Sequence, residues 1–210
     1  MSINKLGTVI IFGYGPNLGV AIANKLLKNN YSVIGINRSG ESYGVIDQNF
    51  KIEKIDLMDY GFNQKLYELL LSIENFAGYI FNLSISKSLE FDTMSNEDLR
   101  DALDASLFLL NSITKLTLPS LITKNGCAIL TSNATSSTPW LKFPTMGITK
   151  SAMESFQKTL SKKHPELKIY TVKICSTITD NSTKYSVDVA QQYLELFTRE
   201  RVPQSEVIVK

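Results

Sequence analysis

The chain has 210 residues, of which 43% are hydrophobic and 20% charged, so it carries enough apolar material for a real core and does not read as disordered. Its 22 basic and 20 acidic residues leave a net charge of +2, too balanced for a nucleic-acid surface. No apolar run approaches the roughly 18 residues of a membrane span, and the opening Met-Ser-Ile-Asn-Lys lacks the apolar stretch and cleavage site of a secretory leader. Cys127 and Cys175 both sit in apolar runs and are expected to be buried free thiols of a cytoplasmic protein, not a disulfide framework. The single histidine, His164 in Lys-Lys-His-Pro, excludes a His-rich metal site and reads as a solvated helix end.

Short β-branched runs alternate with longer amphipathic ones. Thr8 to Phe12 reads as a buried strand, and Leu18 to Leu27 as a helix with Leu18, Ala21, Ile22 and Leu26 on one face. Ser32 to Ile36 and Lys51 to Asp56 are the next strands, followed by a helix over Phe62 to Ile73. Gly78 to Asn82 is a fourth strand. Ser95 with Asp98 has capping-box spacing and opens a long helix expected from Asn96 to Leu121. Cys127 to Thr131 is a strand, Thr145 to Lys162 a long helix and Ile169 to Cys175 a sixth strand. Val187 to Arg199 reads as a helix and Glu206 to Val209 as an edge strand. This alternation predicts an α/β fold: a doubly wound parallel sheet of six or seven strands with helices on both faces. The loops Arg38 to Gln48, Thr135 to Pro144 and Ser176 to Tyr185 all follow strands, which places them on the carboxyl edge, where such sheets bind ligands.

The first strand ends in Gly13-Tyr14-Gly15-Pro16-Asn17-Leu18-Gly19 before a helix opens. Glycines there permit a tight turn, backbone approach to a pyrophosphate and close helix–strand packing, while the helix N-terminus offers N–H donors to phosphate. Pro16 suits a first helical turn. The context favours nucleotide binding over a ligand-free turn. After the second strand, where an NAD site places an acidic residue, stand Asn37, Arg38 and Ser39. A guanidinium forks onto a 2′-phosphate, which favours NADP(H), with NAD(H) as the alternative. Asp56-Leu57, after the third strand, is expected beside the adenine, with a helix-capping role open for Asp56.

These residues, together with Phe81-Asn82-Leu83-Ser84 and the helix carrying Lys150, resemble the short-chain dehydrogenase/reductase superfamily over nearly the whole chain. The resemblance implies one NAD(P)-binding Rossmann-like domain over residues 1–210 and hydride transfer between a nicotinamide and a carbonyl or alcohol. Gly13 and Gly19 match the outer glycines of the family loop, Asn17 replaces the middle one and Gly15 is extra. Asn82 matches an asparagine that braces the central sheet, and Thr179 a threonine at the carboxamide end of the nicotinamide. In the family a tyrosine exchanges the proton. A lysine four residues later lowers its pKa and holds the ribose, and a serine and an asparagine complete the tetrad.

Lys150 matches the lysine, but Met146 stands for the tyrosine, Asn133 for the serine and Ser106 for the asparagine. A thioether has no proton to give, and an amide relays none. Ser132 is next to Asn133, but one residue along a strand turns a side chain to the other face. The ordinary tyrosine–lysine mechanism is therefore absent.

Three readings follow. The first is an NADP-dependent reductase of a carbonyl, imine or activated alkene, with a proton from water, Ser136, Lys142 or the substrate. The second is a non-catalytic NADP-binding sensor, partner subunit or scaffold. The third is a fold reused for another ligand, walled by Trp140 and Phe143. The resemblance also implies a homodimer or homotetramer joined through the two long helices; the cysteines, charge balance and apolar runs point to a cytoplasmic protein acting on a small molecule, without nucleic acid or membrane.

Overall fold

The apolar β-branched runs pair side by side in the computed structural model, which describes residues 6–84, 87–199 and 206–209. The strands are β1 (Gly7–Phe12), β2 (Tyr31–Asn37), β3 (Phe50–Lys54), β4 (Phe76–Phe81), β5 (Cys127–Asn133), β6 (Lys168–Ile174) and β7 (Glu206–Val209). They form a seven-stranded sheet in the order β3-β2-β1-β4-β5-β6-β7, and every pair is parallel. The helices are α1 (Leu18–Leu27), α2 (Phe62–Leu71), α3 (Asn96–Leu103), α4 (Leu109–Lys124), α5 (Pro144–Lys163) and α6 (Lys184–Thr198).

Side chains of successive strand residues go to opposite faces, and the core divides accordingly. Val9, Ile11, Ile129 and Val172 pack with Ile22 and Leu26 of α1 and Tyr193 and Phe197 of α6. Ile10, Phe12, Tyr79 and Leu130 pack with Leu66 of α2, Leu110 and Ile113 of α4 and Met153 of α5. The strand order reverses between β1 and β4, and that switch point opens a crevice beyond the strand ends.

Departures from the expected boundaries have local causes. α1 begins at Leu18 with Asn17 as its cap, so Pro16 lies before the helix, not in its first turn. α2 stops at Leu71, where Ser72 turns its N–H and hydroxyl back onto Leu69 O. Asp56 does not cap that helix, whose cap is Gly61; its carboxylate instead accepts Met58 N–H and closes a turn. The Ser95–Asp98 capping box forms in both directions. The long helix behind it is interrupted: Asp104–Phe108 forms a π-turn between α3 and α4, with the Ser106 hydroxyl donating back to Ala102 O. α4 then runs past Leu121 to Lys124, where Asn125 closes it in the left-handed region. α6 starts at Lys184, earlier than expected, because Thr183 caps it by accepting Ser186 N–H.

The helical stretch Asn96–Lys124, π-turn included, has the length and apolar content of a membrane span, where no apolar run of that length was expected. Here Leu109, Leu110, Ile113 and Leu121 of this stretch are buried in the core. Of the two thiols, only Cys127 is buried; Cys175 is exposed, because β6 ends at Ile174 and its last apolar residue lies beyond the sheet.

Candidate cofactor and active site

Two cavities share the carboxyl edge of the sheet. The first, about 560 Å³, is lined by Gly13, Tyr14, Asn37, Arg38, Ser39, Asp56, Leu57 and Asn82, among others. The second, about 540 Å³, is lined by Asn17, Leu18, Asn133, Trp140, Met146, Lys150 and again Asn82. Asn82 and Ser84 border both, so one crevice runs across the switch point. A groove of similar size lies at the opposite edge, lined by Gly7, Ser32 and Asn75, away from every candidate residue.

The glycine loop is shaped by contacts on both sides. Gly13 has φ +77°, and a side chain there would meet Leu83 N at 2.9 Å, so the turn requires glycine. The Asn82 amide donates to Gly13 O at 3.2 Å and ties the loop to β4. Tyr14 turns inward: its ring packs on Tyr43 and Phe50, its hydroxyl donates to Ser42 O at 2.7 Å, and burial pushes its pKa up. A Cβ on Gly35 would lie 2.8 Å from that ring, so β2 needs glycine there. A Cβ on Gly19 would lie 3.3 Å from Tyr14, whereas one on Gly15 would meet nothing within 4 Å and enter open space. Asn17 makes no cap hydrogen bond to α1; its amide donates to Ile178 O instead. The N-terminus of α1 is thus left without a side-chain cap beside a glycine with room around it. Those are the features a pyrophosphate needs, so the residues present fit a dinucleotide.

In the first cavity Asn37 is spent on its own loop. Its amide donates to Tyr14 O and Glu41 O, and its oxygen accepts Gly40 N–H at 2.7 Å. Asn37 thus organises the loop while it lines the cavity beside Arg38, Ser39 and Asp56.

In the second cavity Lys150 is 3% exposed, and its ammonium donates to Thr131 O at 2.9 Å and Leu83 O at 3.1 Å. Burial lowers its pKa to about 8, with Glu154 one turn along α5 opposing part of the fall. Asn133 and Met146 do meet: the amide donates to the Met146 sulfur at 3.1 Å. The Asn133 oxygen is held by Thr135, accepting its backbone N–H at 3.1 Å and its hydroxyl.

Two expected site residues stand apart. Ser106 is buried in the π-turn with its hydroxyl on Ala102 O and borders neither cavity. Thr179 is exposed and borders neither, while Thr177 and Ile178 before it line the second. Trp140 lines the second cavity, and Phe143 packs on it from behind, with ring centroids 6.4 Å apart. Cys175 also lines it, and sequence reading missed this because an apolar run looks buried until its strand end is known.

Ser132 departs from expectation too. Its hydroxyl donates to Glu154 of α5, so it faces the same helix as Asn133, one turn beyond Lys150. Asn133 reaches that helix as well because it sits at the end of the strand, where the side-chain alternation is no longer enforced. Glu154 also pairs with Lys173 at 3.3 Å, and Lys173 reaches Glu206 at 3.2 Å, which locks α5, β6 and β7 together.

The sheet order, the crevice and its glycine loop define a Rossmann-like α/β fold. A family profile described as short chain dehydrogenase matches residues 7–193. Among solved structures, an alcohol dehydrogenase from the archaeon Thermococcus sibiricus, complexed with 5-hydroxy-NADP, superposes with a TM-score of 0.82 at 16% identity, covering 97% of this chain and 96% of that one. A short chain dehydrogenase from Leptospira borgpetersenii with bound NAD+ has a TM-score of 0.82 at 14% identity, covering 98% and 92%. A protein called ElxO, with NADP bound, has a TM-score of 0.85 at 16% identity, covering 99% and 97%. A comparison with curated protein sequences gave no match. The chain belongs to the short chain dehydrogenase family of oxidoreductases.

Proposed function

We propose that this chain is an NADP-dependent oxidoreductase that transfers hydride to a carbonyl, imine or activated alkene with a proton source other than a tyrosine. The observation that carries the reading is the single crevice with Arg38 at one end and Lys150 at the other. Arg38 and Ser39 would hold the 2′-phosphate, and Asp56 and Leu57 would border the adenine. The loop from Gly13 to Gly19 with the α1 N-terminus would take the pyrophosphate. Lys150 would hold the nicotinamide ribose. The nicotinamide supplies the hydride when bound. Ser136 is spent as a donor to Asn133 O, and neither it nor Lys142 lines the second cavity, so solvent or the substrate supplies the proton.

The test is a fluorescence titration with NADPH and NADH, repeated with Arg38→Glu. Binding of NADPH that Arg38→Glu weakens more than binding of NADH supports the reading; binding of neither cofactor refutes it. The amide–thioether pair at Asn133 and Met146 favours one other reading, a non-catalytic NADP-binding protein. NADPH binding without turnover on any member of a panel of carbonyls, imines and activated alkenes would select it.

The same reading makes the protein a cytoplasmic homodimer or homotetramer. It joins copies through α4 and α5, where Ile122 and Ile148 are exposed, as is Phe108 just before α4. A sedimentation mass of one chain at micromolar concentration would refute that assembly.

A further inference from the structure

The polar groups around the second cavity are arranged to hold an anion on oxygen. The Asn133 amide has a fixed sense: both the N–H and the hydroxyl of Thr135 point at its oxygen, so its NH2 faces the Met146 sulfur. That sulfur is a weak acceptor, so the donor is turned toward the cavity at little cost to its present partner. Lys150 carries three N–H donors and gives two of them to backbone carbonyls, Thr131 O and Leu83 O. Both side chains line one cavity, Asn133 from the end of β5 and Lys150 from α5 one turn beyond Met146, and Leu18, Trp140, Ile174 and Ile178 supply apolar walls. The neighbouring hydroxyls are engaged: Ser132 donates to Glu154, Thr135 to Asn133 and Ser136 to Asn133 O. The site has one amide donor on a weak acceptor, one ammonium charge and no phenol.

The two chemistries open to a hydride donor differ in what they ask of such a site. Hydride added to an isolated ketone makes an alkoxide, a strong base that needs a proton as it forms. Hydride added to the β-carbon of an α,β-unsaturated carbonyl makes an enolate, a much weaker base whose charge is shared between oxygen and carbon. An enolate needs donors at its oxygen during the transfer, and its proton arrives later, at the α-carbon. Aimed donors in a site of low dielectric are the means of stabilising it.

Resting on the reading of a nicotinamide-dependent reductase, we propose that the substrates are electron-poor C=C bonds conjugated to a carbonyl, with the enolate oxygen held by the Asn133 amide, and the Lys150 ammonium supplying positive charge in the same cavity. The C–H bond forms at the β-carbon with the electron pair of the hydride, and the C=C π pair moves to make the enolate. The reduced nicotinamide becomes oxidised. A proton from water then completes the α-carbon. Water enters past Cys175, Ser176 and Thr177, which are exposed on the cavity rim.

The experiment compares 2-cyclohexen-1-one with cyclohexanone under NADPH, following cofactor consumption and identifying the product. Since a missing general acid costs about 10²–10⁴ in rate, the enone should be reduced at least about a hundredfold faster, to cyclohexanone. Met146→Tyr should narrow that ratio at least about tenfold by raising the ketone rate. A second readout needs no cofactor and no turnover: 4-nitrophenol, whose absorbance reports its ionisation, should bind to the full chain as the phenolate below its free pKa. Lys150→Met and Asn133→Leu should each abolish that ionisation, and Asn133→Ser, which restores a small donor, should recover part of it. A ketone rate within tenfold of the enone rate, reduction of neither compound by a chain that binds NADPH, or 4-nitrophenol bound as the neutral phenol would each overturn the proposal. Failure to bind NADPH would instead sink the reductase reading, while the 4-nitrophenol result would still report on the anion site.

Discussion

Replacing Lys150 by methionine should change the pH dependence of stability in a defined direction. Lys150 is 3% exposed, and burial lowers its pKa from 10.5 to about 8. Below the lower value both the folded and the unfolded chain hold the proton, and the folded chain carries the full cost of a buried ammonium. Between the two values the unfolded chain binds more protons than the folded one, so stability rises with pH and that cost is released. With 1.36 kcal/mol per pKa unit, the shift corresponds to a penalty of about 3 kcal/mol at neutral pH. About 2 kcal/mol of it is relieved between roughly pH 6.5 and roughly pH 9.5. Lys150→Met also leaves Thr131 O and Leu83 O without their donor, but that loss does not titrate and cancels in the comparison between the two pH values. Urea unfolding of both proteins at the two pH values measures the effect: wild type should gain about 2 kcal/mol relative to the variant on going to the higher pH. A flat difference, or one of opposite sign, would refute the account of Lys150 as a buried ammonium with too little opposing charge.

Lys173→Met should destabilise the fold by about 3–5 kcal/mol in urea unfolding, because it strands the Glu154 carboxylate at 8% exposure. Lys173→Met with Glu154→Leu should recover most of that loss, since two apolar groups replace the pair together. Gly35→Ala should cost about 1–3 kcal/mol by driving a methyl into the Tyr14 ring, read as a lowered midpoint of thermal unfolding. A thiol reagent at neutral pH should modify Cys175 quickly and leave Cys127 untouched, because burial pushes the Cys127 thiol up to about 12. NADPH should slow the reaction at Cys175, which lines the second cavity; peptide mapping by mass spectrometry reads both effects.

Much of the architecture was legible in residue order. β-branched runs such as Thr8 to Phe12 and Cys127 to Thr131 are buried on both faces, so they show as unbroken apolar stretches. The Ser95–Asp98 cap is a purely local bond and forms as its spacing implies. The π-turn at Asp104–Phe108 was not legible, because it widens a helix without breaking the apolar pattern. Cys175 shows a second limit: an apolar run says that a strand is near, not where it ends, and one residue separates buried Ile174 from exposed Cys175.

For the site, residue identity already settles what the side chains lack. Met146 cannot donate a proton wherever it sits, and Gly13 was recognisable as a turn because that chemistry is local. What the side chains do with the groups they have was decided by the fold. Asn37 stands where a cofactor contact was expected, and the fold also ties it to Tyr14, Ser39, Gly40 and Glu41. Ser132 was expected to face away from Asn133, yet both reach α5, Ser132 through Glu154, 22 positions along the chain. The sense of the Asn133 amide depends on Thr135, and the charge balance at Lys150 on its burial and on Glu154. Hydrogen-bond direction and burial are properties of neighbours brought together in space. The order of residues sets which donors and acceptors exist, and the packing of the sheet edge sets which of them remain free for a ligand.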